Sequence, residues 1–192
     1  GKYEAIDFGK ANPSTLTRNE VIEKMVQSGT WTMLRQRPYS TIANTQDEPK
    51  CIVVSMFDTA PMAPDNNFII ANQMEAVKAG AEALAKLTDG KVYLNVNSEE
   101  TKKALEALKF SAKNISVNVF QGPHPAGNVS TQLNVLSPIN KGEVVWYCYA
   151  QDIVSIGNLF LTGKYDSKRV IAFTGSEVKE PVYYQTRIGA DL

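Results

Sequence analysis

The run "KCIVVSMFD", residues 50–58, constrains the fold more than any other stretch of the sequence. It is almost continuously apolar and rich in β-branched side chains. A strand with one wet face would alternate apolar and polar residues, so this run reads as a strand covered on both faces. Such a strand needs paired neighbours on its edges and helices above and below. The flanking sequence supplies both. "KVYLNVN" (91–97), "NISVNVFQ" (114–121) and "EVVWYCYA" (143–150) read as further strands, each separated from the next by a helical pattern. Strands alternating with helices at this spacing imply βαβ crossovers. The expected fold class is α/β, a Rossmann-like, doubly wound and mostly parallel sheet.

The helices carry their own punctuation. Thr17 followed three residues later by Glu20 makes a capping box, with Leu16, Val21 and Met25 on one face and Gly29 as the stop. Residues 65–90 read as one long helix with an Asp/Asn start, an alanine-rich middle and a stop at Gly90. "SEETKKALEALK" (98–109) opens on Ser98 as N-cap, with two glutamates favoured by the helix dipole. "GNVSTQLNVLS" (127–137) and "AQDIVSIGNLFLTG" (150–163) complete the set. After Gly163 the pattern changes to two strand runs around "GSEVKEP". Residues 1–165 are therefore expected to form the α/β domain. Residues 166–192 are expected to open a second, truncated module, which makes the chain part of a longer protein.

Charge and composition exclude several functions. Lys plus Arg balance Asp plus Glu at 20 each, so nothing favours a nucleic-acid partner. Apolar runs are strand-sized, and neither a transmembrane segment nor a secretory leader is expected. Cys51 and Cys148 each lie inside an apolar run, where a thiol behaves as a small buried side chain, and a reducing cytosolic setting is favoured. With His124 as the single histidine, no metal site is expected. The patterns G-x-S-x-G, G-x-G-x-x-G and G-x-x-x-x-G-K are absent from the sequence.

Three loops could carry chemistry. "SGTWTMLRQRPYS" (28–40) has one glycine, an indole, two guanidinium groups and a proline. Arg35 and Arg37 could hold a carboxylate, a phosphate or a carbonyl oxygen; Trp31 and Tyr39 could stack on a flat ring; Leu34 and Met33 could line an apolar slot. The alternative is two surface arginines paired with acids and a tryptophan at a domain interface. "TAPMAPDNN" (59–67) follows the central strand, with Asp58 as a candidate polar contact, or is a plain connector. "GPHPAG" (122–127) sits where open α/β sheets bind ligands, but its prolines offer no N–H donors. It is either a stiff turn braced by His124, or a quinone- or partner-contacting loop with His124 as donor.

Taken together, "SGTWTMLRQRPYS", "MFDTAPMAPD", "QGPHPAGNVSTQL" and "VVWYCYAQDIVSIGNLFLTG" resemble the A-subunit family of bacterial sodium-translocating NADH:quinone oxidoreductases, from about Tyr3 to Leu192. The resemblance extends more distantly to the flavin-carrying subunits of respiratory complex I and the Rnf complex, where a glycine-rich loop in the place of residues 28–40 holds FMN; here that loop lacks the glycines. It implies a peripheral subunit on the cytoplasmic face of the bacterial inner membrane. Its partners would be the other subunits of a sodium-pumping redox complex and quinone as that complex's substrate. It also implies a degenerate flavin site, no cofactor bound by this fragment, and no catalysis by the fragment alone. The segment "LRQRPYST" (34–41) resembles the part of the family linked to quinone, and the quinone-contacting residues it implies are Trp31, Leu34, Arg35, Arg37 and Tyr39. The tail resembles the start of a β-grasp module of the SLBB type. Two other functions remain open: a soluble FMN- or NADH-binding oxidoreductase domain, and a pure assembly scaffold.

Overall fold

The computed structural model describes residues 4–191. Tyr3 and Leu192, the ends of the resemblance, and the outer limits of the 1–165 and 166–192 division lie outside the described residues. After a short 3-10 turn (Pro13–Thr15), helix α1 (Arg18–Ser28) starts on the expected capping box. The Thr17 hydroxyl accepts the Glu20 N–H, and Glu20 accepts the Thr17 N–H at 2.7 Å. The Thr17 N–H, and with it the Thr17 hydroxyl donating to the same carboxylate at 2.8 Å, hold the Glu20 carboxyl below the usual glutamate range. Gly29, in the left-handed conformation, closes the helix.

Among the described residues, eight strands follow in two sheets. In the six-stranded sheet the order is β2 (Thr41–Ile42), β1 (Arg35–Arg37), β6 (Val145–Tyr149), β3 (Cys51–Ser55), β4 (Lys91–Val96), β5 (Ile115–Val119). β6, β3, β4 and β5 are mutually parallel, while β1 is antiparallel to β6 and β2 to β1. All five residues of β3 are buried. Strand order reverses between β3 and β6, which makes the carboxyl ends of those strands the topological switch point.

Side chains alternate between two cores. Ile52, Val54, Leu94, Trp146 and Cys148 pack under α1, α3 (Met74–Ala85) and α6 (Ala150–Thr162), with Leu105 of α4 (Glu99–Glu106) in the same cluster. Cys51, Val53, Val145 and Tyr147 face the other way, onto Val129 and Leu133 of α5 (Val129–Leu136). Burial raises the Cys51 thiol pKa and pushes that of Cys148 well above its ordinary value, so both act as packing groups rather than nucleophiles.

Two expectations need correction. The stretch 65–90 is two helices, α2 (Asn66–Ile70) and α3, because the chain turns at residues 71–73, where the Gln73 N–H bonds the Ile70 carbonyl. Nor does α3 run to Gly90. It stops at Ala85, and the Thr88 hydroxyl pulls the following residues onto the Pro49 carbonyl at 2.7 Å. The second correction concerns residues 28–40. They are not an open loop but a 3-10 turn (Thr30–Met33) leading into β1.

The tail forms a separate hairpin, β7 (Lys168–Phe173) and β8 (Val182–Arg187). A lone hairpin is marginal in water, so it needs anchoring. The side-chain amide of Gln151 on α6 meets both backbone groups of Val170 at 2.9 Å, and Arg169 pairs with Asp152. Tyr183 accepts the Asp65 N–H and packs on Phe68.

α3 and α6 pack backbone to backbone. A Cβ on Gly157 would overlap the Ala76 carbonyl oxygen, and one on Gly80 would overlap that of Ile153. Backbone atoms there have no flexible end to yield. Gly157→Ala is expected to cost at least about 2 kcal/mol by forcing the helices apart, read as a lower midpoint in urea unfolding.

Candidate functional site

The structure separates the residues that the sequence grouped. Trp31 is only 5% exposed; its indole N–H donates to the Ala43 carbonyl at 2.8 Å, and its ring meets Trp146 edge-on at 5.3 Å. Leu34 is fully buried in the same core. Neither presents a surface. Trp31 therefore does not offer its ring for stacking, as the sequence reading allowed; the 3-10 turn that precedes β1 seats it in the core shared with α1 and α6 instead. Tyr39, by contrast, is 86% exposed at the tip of the β1–β2 hairpin, beyond the amino-terminal end of β6.

Arg35 and Arg37 share one sheet face. In register, Arg35 lies opposite Tyr147 and Arg37 opposite Val145, whereas Gln36 points the other way and accepts the Trp146 indole N–H at 2.8 Å. The Arg37 guanidinium sits 5.2 Å from the Tyr147 ring centroid, a cation–π contact. Tyr149 meets that ring edge-on at 5.8 Å and is half exposed. Its phenol pKa is raised, chiefly by burial and then by Tyr147, with Arg37 pulling the other way and Asp58 adding to the rise. Tyr149 thus lies within electrostatic reach of both Arg37 and Asp58.

Asp58 and His124 belong to the switch point. The loop after β3 carries Asp58, whose Oδ1 accepts the N–H groups of Thr59 at 2.7 Å and Ala60 at 2.9 Å. His124 Nδ1 lies 3.1 Å from the Thr59 hydroxyl oxygen, which also accepts the Gly127 N–H at 3.0 Å. Gly127 is needed there: a Cβ would stand 2.8 Å from the Thr59 nitrogen. The loops after β3 and β5 are stitched together, with His124 bracing them.

Beneath them runs a row of polar side chains that sequence reasoning missed. Ser55, Asn95 and Asn118 occupy one register line across β3, β4 and β5. Asn118 donates to Asn95, Asn95 to Gln132 of α5, Gln132 to Ser55, and Ser55 to the Gly127 carbonyl, at 2.9–3.1 Å. Ser55, Asn95 and Gln132 are fully buried. A signal existed: asparagine recurs in "YLNVN" and "SVNVF", inside runs otherwise fit for a dry strand. Tyr147 and Tyr149 were legible only as strand residues.

Several backbone N–H groups at this edge are already engaged. A phosphate needs free backbone N–H donors. Those of Thr59 and Ala60 are taken by Asp58, that of Gly127 is taken by Thr59, and Pro123 and Pro125 have none. Among the described residues, no cluster of three or more His, Cys, Asp or Glu could hold a metal ion. An open groove of about 880 Å³ between α3, α6 and residues 10–14 contains none of the expected site residues.

Residues 16–165 match the family described as "NqrA second alpha/beta domain". The chain belongs to the NqrA family. Over its whole length it is 39% identical to the A-subunit of the Na(+)-translocating NADH-quinone reductase of Serratia proteamaculans (strain 568), covering 42% of that protein. To the corresponding protein of Vibrio atlanticus (strain LGP32) it is 39% identical, over 93% of the chain and 39% of the relative. The chain therefore spans about two fifths of the length of these NqrA relatives. Its fold is similar to a chain of the NAD+-reducing [NiFe]-hydrogenase in the air-oxidized state, with a TM-score of 0.61 and 16% identity over 93% of this chain and 40% of that one. Among the described residues, no helix is long and apolar enough to cross a membrane.

The buried polar row generates a direct expectation. Gln132→Leu leaves the Asn95 side-chain N–H2 without its acceptor and takes from the Ser55 oxygen the amide it accepts from, at a cost of about 1–3 kcal/mol. Urea unfolding reads the loss, and faster hydrogen exchange at the Gly127 amide would show that the row, not the helix alone, holds the 122–127 loop.

Proposed function

We propose that the chain is a flavin-free α/β domain of a peripheral subunit in a sodium-pumping NADH:quinone oxidoreductase, on the cytoplasmic face of the inner membrane. Its role is structural, with a contact to quinone. The observation that carries this reading is identity of 39% along the entire chain to a component of that complex. The absence of flavin is supported by the strand-end amides already bonded to Asp58. The quinone contact is assigned to the β1–β2 hairpin, where Tyr39 offers an exposed aromatic ring able to stack on a flat head group. Arg35 and Arg37 turn onto the sheet face around Tyr147, away from that tip. The β7–β8 hairpin opens a β-grasp module of the SLBB type, a reading supported by its separate sheet and the exposed Phe173, Val182 and Tyr184.

The full-length subunit, purified without added cofactor, is expected to be colourless and to stay so after FMN addition and desalting; a retained yellow colour would return the protein to the flavin oxidoreductases. In the assembled complex, Tyr39→Ala is expected to lower kcat/KM for quinone about tenfold, the scale of one lost stacking contact, while NADH oxidation by an artificial acceptor is unchanged. Unaltered quinone kinetics would leave the scaffold reading in place.

A further inference from the structure

We draw no further inference here: the strongest candidate, the open groove between α3, α6 and residues 10–14, has its buried carboxylate, Glu82, already bonded to the Ser111 and Ala112 N–H groups, and nothing in the structure shows what covers it.

Discussion

Five consecutive residues of β3 lie out of water, with β4 on one edge and β6 on the other. Each of their backbone N–H and C=O groups must be paired within the sheet, because no solvent reaches them. That requirement fixes the sheet order, and the sheet order places the switch point between β3 and β6. Everything of functional interest is then a consequence of which chain segments meet at that point or lie on the faces beside it.

The switch point here is knitted rather than open. Asp58 takes the strand-end amides that a phosphate would use, and Thr59 ties His124 and Gly127 to the same loop. The polar row from Asn118 to Ser55 holds this closure from below. A buried polar network is stabilising only when every member is satisfied. In this row each side chain finds a partner, and the last one reaches the Gly127 carbonyl. The edge at which open α/β sheets bind ligands is here engaged in internal contacts, in keeping with the rule that fold alone does not decide function.

The antiparallel addition of β1 and β2 redistributes the residues that follow α1. One strand turned against β6 sends Gln36 to the Trp146 indole on the helical side and Arg35 and Arg37 to the opposite side. Trp31 and Leu34 precede it and are drawn into the core. A segment that looks in sequence like one binding loop is therefore divided among a core, a sheet face and a hairpin tip.

What the sequence determined by itself was everything governed by neighbours along the chain. The continuous run of β3, the Thr17–Glu20 box, the Ser98 cap and the helices from Val129 and Ala150 follow from local spacing and side-chain chemistry. The break between α2 and α3 was hidden because no Gly or Pro marks it in the sequence, and the turn depends on how residues 71–73 pack. Tertiary structure alone decided that Trp31 is a core strut and that Arg37 rests on Tyr147. It alone joined His124 to Thr59. Those partners lie between 12 and 110 positions away along the chain, and no local periodicity reports which strand will pair with which.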